Sequence, residues 1–100
     1  MKSKVCDFEI LDKAYYDMQR LKEWYDFKRK DQGTILAKEI ATYLKQIKKN
    51  PHAFEQKYKP FYVAFLKTHQ VAIAYLYADK KITVFAVYST YQNVKKILKH

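Results

Sequence analysis

The sequence predicts an α+β fold: an N-terminal strand, an antiparallel helical hairpin, a three-stranded antiparallel meander that completes one sheet, and a short C-terminal helix or tail. Three observations predict it. A short run of period two opens the chain. Two longer segments with apolar residues every three or four positions follow, joined by a short polar break. Three runs rich in Val, Ile, Phe and Tyr then close the chain, separated by polar breaks of hairpin length.

Residues 5–10, VCDFEI, set Cys6, Phe8 and Ile10 against Val5, Asp7 and Glu9, the alternation of a half-buried strand. Asp12 is placed to cap a helix that runs to about residue 30 and carries Tyr15, Met18, Leu21 or Trp24, and Tyr25 as its apolar stripe. Asp31-Gln32-Gly33 interrupts the pattern. Thr34 is then the expected cap of a second helix with Leu36, Ile40, Tyr43, Leu44 and Ile47 on one side, ended by Asn50-Pro51. So short a link packs the helices antiparallel, and their stripes need a sheet to cover. Residues 60–67, 71–77 and 82–88, split by THQ and ADKK, supply it. The tail, residues 91–100, places Val94, Ile97 and Leu98 among basic residues, which suits a short amphipathic helix or a partly disordered end.

One hundred residues fit a single domain, 1–100, and 17% aromatic content suffices for a core without disulfides or a structural metal. One glycine and two prolines leave little material for linkers. Cys6 is the sole cysteine, so neither an intrachain disulfide nor a cysteine zinc cluster can form, in keeping with a reducing cytoplasm. Asp7, Glu9 and Asp12 fall where a signal peptide would need an apolar run, and no run approaches the roughly 20 residues of a membrane-spanning helix. A soluble cytoplasmic protein with no membrane partner and no cofactor is expected.

Twenty Lys and Arg against ten Asp and Glu give a formal charge of +10, which favours polyanions or an acidic protein as partner. Only Arg20 and Arg29 are arginines, so the bidentate forks that read bases are scarce. Lys57 and Lys59 before the second strand, and Lys95, Lys96 and Lys99 in the tail, are the candidate polyanion or partner contacts; a solvated face is the plainer account of each. His52 lies in a loop, His69 in a hairpin turn and His100 at the terminus. With no close pair among them, no metal site is expected. Tyr62, Tyr75, Tyr77 and Tyr88 belong to strands and should pack in the core, whereas Tyr91 lies just beyond.

This order of elements, with KNPHAF (residues 49–54) leaving the second helix and FLKTHQVAIAYLYADKKITVFAVYST (residues 65–90) closing the sheet, resembles the RelE/ParE toxin superfamily, the protein half of type II toxin–antitoxin pairs. The resemblance spans nearly the whole chain. It rests on Asn50-Pro51 with Phe54, on Lys67 closing the second strand, on a third strand containing Tyr75, and on the strand from Ile82 to Val87. It implies the fold above and a cognate acidic antitoxin. The mRNA-cleaving branch also carries Lys or Arg on the second and third strands and after the fourth. Here Tyr62 to Phe65, Ala72 and Ser89-Thr90-Tyr91-Gln92 occupy those places, and none is cationic. Cutting RNA without a metal requires a base, an acid and fixed cations, for which Lys67, His69 and Tyr91 are the remaining candidates. The expectation is therefore a toxin that acts by binding, with DNA gyrase as the target implied by the ParE branch. A ribosome-dependent mRNA endonuclease, with ribosome and mRNA as partners, is the alternative; a non-toxic member that binds antitoxin or RNA is the third.

Overall fold

The most apolar stretch of the chain sits at the centre of the molecule. In the computed structural model, which describes residues 7–98, β4 (Val71–Ala78) is buried on both faces from Val71 to Tyr75, so the polar alternation of a half-exposed strand is missing there. It pairs antiparallel with β5 (Lys81–Ser89) on one side and β3 (Phe61–Phe65) on the other. Asp79 and Lys80 join β4 to β5 with φ of 51° and 59°, two left-handed residues in the manner of a type I′ hairpin. The sheet is completed by β1 (Asp7–Ile10), parallel to β5, and β2 (Glu55–Tyr58), antiparallel to β3, in the order β1-β5-β4-β3-β2.

Helices α1 (Asp12–Lys28) and α2 (Gln32–Lys49) cover one face. Leu36, Ile40 and Ile47 of α2 meet Val71, Ile73, Tyr75, Ile82 and Val84 there. On the other face Ala72, Ala74 and Ala86 form a low floor flanked by Phe61, Val63 and Tyr88, and Val94, Ile97 and Leu98 in and beside α3 (Val94–Ile97) pack against it. The tail thus forms a short helix, whose start is held by the Asn93 side chain accepting from Lys95 N–H at 3.0 Å.

The Asn50-Pro51 segment earns its place by packing as well as by ending α2. Asn50 Oδ1 accepts from His52 N–H at 3.2 Å, Phe54 lies 5.9 Å from the Tyr43 ring, and the buried Tyr75 hydroxyl donates to Pro51 O at 2.6 Å. Burial, with Tyr62 stacked beside it, holds the Tyr75 hydroxyl far above the ordinary tyrosine value, so it stays a donor.

Several expectations need correction. Tyr15 and Trp24 are exposed, and the inward line of α1 is Ala14, Asp17, Met18, Leu21 and Tyr25. Tyr15 lies one residue, about 100°, off that line. Strand β2 has no signal in the sequence because Glu55-Gln56-Lys57-Tyr58 is exposed throughout, held by backbone pairing at the sheet edge. Lys67 falls beyond the end of β3. Val5, Cys6 and Lys99 lie outside the described residues.

Neither Asp12 nor Thr34 caps a helix. Leu11 and Asp31 hold the N-cap positions, and neither makes a side-chain cap hydrogen bond. The start of α2 is satisfied from α1 instead: Asp26 Oδ1 accepts from Gly33 N–H at 2.7 Å, while Lys22 approaches Asp26 Oδ2 at 3.2 Å. The Gly33 hydrogen bond, with the Lys22 contact second, keeps the Asp26 carboxyl below its ordinary value. Gly33 therefore lies inside the second helix and serves close approach, since a Cβ there would come 2.2 Å from Lys22 O and 2.7 Å from Asp26 Cγ. Gly33→Ala should accordingly cost about 1–3 kcal/mol of stability by prising the helices apart; urea unfolding measures it, and a loss within error of zero contradicts this packing.

Candidate functional site

A groove of about 1000 Å³ runs between α1 and the C-terminal end of β5. Its existence follows from the length of β1. That strand matches β5 only from Asp7↔Lys81 to Ile10↔Val84, and the chain turns directly into α1. Among the described residues, no strand pairs with the outer edge of β5 beyond Val84.

Asp17 occupies the floor. It is 6% exposed, and its carboxylate binds Arg20 at 2.8 Å, Lys13 at 3.2 Å and the Val87 N–H at 3.2 Å. A carboxylate taken from water is costly unless charge and donors compensate it, and these three do so. Deeper in the same wall, Tyr88 is buried and its hydroxyl is pushed up to about 12, chiefly by burial and then by Tyr58, so it is neutral near pH 7.

The walls carry an exposed aromatic and basic surface. Tyr16 (71% exposed), Trp24 and Phe27 (87%) stand with Arg20 on one side of α1, spaced 16, 20, 24 and 27, and Tyr91 (82%) faces them from beyond β5 with Lys96 of α3. Lys28 lies over the Trp24 ring, 4.8 Å from its centroid. Four large exposed aromatics around one concavity are unusual for a surface that stays solvated. They suit a partner offering apolar side chains and negative charge.

Beside the groove, Glu39 of α2 gathers the β3–β4 turn. Its carboxylate accepts from Thr68 N–H at 3.1 Å and Thr68 Oγ1 at 2.7 Å, and meets His69 Nδ1 at 2.6 Å. Burial works against the charged form of Glu39, but the His69 and Thr68 hydrogen bonds prevail and hold its carboxyl below the ordinary 4.5. His69 stacks edge-on against Tyr25, 5.1 Å between centroids. The Tyr25 hydroxyl is raised mainly by burial, against a hydrogen bond from the Gln70 backbone, with Tyr91 and Glu39 adding to the rise.

The candidate residues are thus dispersed. Tyr91 and Lys96 line the groove, and His69 approaches it through Tyr25. His69 is buried rather than a solvated turn residue. Lys95 is exposed on α3, Lys67 is exposed after β3, and Lys57 and Lys59 stand at the β2 edge, the opposite side of the sheet from β1. His52 stacks on Tyr62 and Tyr77, away from the groove. Sequence reasoning missed Asp17, Arg20, Tyr16 and Phe27. The signal was present in part: the 16, 20, 24, 27 spacing is a second stripe on α1 that the apolar stripe leaves unexplained. Among the described residues, no helix is long and apolar enough to cross a membrane, and no three His, Cys, Asp or Glu are grouped to hold a metal.

No family model matches the sequence, and no curated protein does. Solved structures do. A chain of the chromosomal ParDE toxin–antitoxin system from P. aeruginosa superposes with a TM-score of 0.76 at 14% identity, over 87% of this chain and 98% of that one. The conserved hypothetical protein HP0894 from Helicobacter pylori superposes with a TM-score of 0.55 at 22% identity, over 87% of this chain and 97% of its own. The fold is that of the RelE/ParE toxins, as the resemblance implied.

The Glu39 cluster makes stability depend on pH with a definite sign. A carboxyl held low in the folded state contributes stability above its ordinary value, which is lost as pH falls through the folded value. The stability advantage of wild type over Glu39→Gln should be full at pH 5.5 or so and shrink steadily below about pH 4.5, followed by chemical denaturation at each pH. A gap that stays constant or widens on acidification contradicts the assignment.

Proposed function

We propose that this chain is the toxin of a type II toxin–antitoxin pair, that it acts by binding its target, and that an acidic antitoxin neutralises it by occupying the α1–β5 groove. The observation that carries the reading is the groove itself, an exposed aromatic and basic cleft on a fold shared with a chain of a ParDE toxin–antitoxin system. An amphipathic segment that folds on binding suits it, with apolar side chains against Tyr16, Trp24 and Tyr91 and carboxylates toward Arg20, Lys13 and Lys96.

Binding is favoured over cutting by the distribution of charge. No Lys or Arg stands on β3 or β4, and Lys81, at the start of β5, is paired with Glu9 at 3.0 Å. The cations nearest the groove floor, Lys13 and Arg20, are tied to Asp17. A developing phosphorane charge would lack the fixed cations that metal-free cleavage relies on. The mRNA endonuclease reading keeps one supporting observation, the Glu39–His69 pair, which orients an imidazole near Tyr25 and Tyr91.

Induced expression in a bacterial host tests both. Growth arrest with altered plasmid supercoiling and intact messages supports a binder directed at DNA gyrase; arrest with ribosome-dependent mRNA cuts, lost in Tyr91→Phe or Lys67→Ala, supports the endonuclease; normal growth overturns the toxin reading. Trp24→Ala should weaken a copurifying antitoxin by at least about tenfold, as for a central aromatic anchor, measured by titration calorimetry.

A further inference from the structure

The open length of β5 lies on the groove floor with its backbone donors already aimed outward. The last contact from the β1 side is Leu11 N–H to Val84 O, at 3.1 Å. Register with β4 then passes from Tyr75↔Val84 to Ala74↔Ala86, so Phe85 is an extra residue and the alternation shifts. Thr90 N–H reaches Gln70 O toward the β4 side, and by alternation the N–H groups of Val87 and Ser89 point to the open edge. Side chains hold both. Val87 N–H donates to Asp17 Oδ2 at 3.2 Å and Ser89 N–H to Gln92 Oε1 at 3.0 Å. Two acceptors from different elements therefore stand where carbonyl oxygens of a neighbouring strand would lie.

We propose that this edge is a strand-addition site, on which an extended segment of an acidic protein pairs with Val87 and Ser89, its carbonyls replacing the Asp17 carboxylate and the Gln92 amide. The inference rests on the antitoxin reading above and specifies how the partner's backbone engages. An unpaired edge invites such pairing unless it is guarded, and Asp17 and Gln92 are guards that a matching guest displaces. The guest's chemistry follows from the walls. Neutral carbonyls meet the floor, alternate apolar side chains meet Trp24 and Tyr16, and carboxylates meet Lys13, Arg20 and Lys96. A nucleic acid fits less well, since it would bring a phosphate at every repeat past Asp17 and Glu23.

Trp24 is the only tryptophan and lines the groove, so its emission reports occupancy. The probe is a seven-residue synthetic peptide alternating leucine with aspartate and glutamate, acetylated and amidated, titrated into the full chain beside its fully N-methylated analogue and a ten-residue oligothymidine. The parent peptide should shift Trp24 emission, perturb the Val87 and Ser89 amide signals in NMR, and bind at least about tenfold tighter than the N-methylated form. Gln92→Ala, an exposed position, should tighten the parent about two- to tenfold by releasing the Ser89 donor; unchanged or weaker binding overturns the guard role. Equal affinity of the N-methylated peptide overturns strand addition while leaving the groove as a side-chain docking site. A response to oligothymidine but not to the peptide overturns it in favour of nucleic acid. Failure of the antitoxin reading itself appears separately, as normal growth on expression.

Discussion

The brevity of β1 is the constraint on which the rest of the molecule turns. Four residues pair with β5 before the chain enters α1, so half of β5 has no partner on that side and the helix, rather than a strand, must close the gap. Asp17 does so from inside the protein. Its carboxylate satisfies Val87 N–H, and that burial is tolerable because Lys13 and Arg20 supply charge from the same helix, one turn either side. Had β1 been four residues longer, the edge would have been covered and there would be no groove.

A second set of polar ties works on the far side of the helical layer. Tyr75 reaches Pro51 O through the core, and Glu39 gathers Thr68 and His69. Each joins a loop to a rigid element at a place where apolar packing alone would leave the loop free to slide. Together they fix the ends of β3 and β4, and through Tyr25 they set the back wall of the groove. The geometry available to a partner therefore depends on residues that never touch it.

Electrostatics divides along similar lines. The acids that make ion pairs in the described part of the chain are mostly engaged locally, Asp17 and Asp26 on α1, Glu9 with Lys81 and Glu39 with His69. Much of the excess of ten positive charges is then left to face outward, where it steers acidic partners at a distance rather than holding the fold. Specificity must come from the groove, where aromatic rings and a patterned strand edge coincide with a few of those charges.

By itself the sequence determined the helical hairpin, the three apolar strands and the short final helix, because each buries a face with its own period and is punctuated by residues such as Asn50-Pro51. It also determined the family-like order, which the superposition with a ParDE chain bears out for the fold. Tertiary structure alone decided the rest. Strand β2 is made by pairing, with no buried face to leave a pattern. The inward turn of Asp17, the burial of His69 and the cap on Gly33 from Asp26 each depend on a partner 70, 30 or 7 residues away. Local spacing reports which way a side chain points around its own axis; it carries no record of which distant backbone amide will be waiting there unpaired.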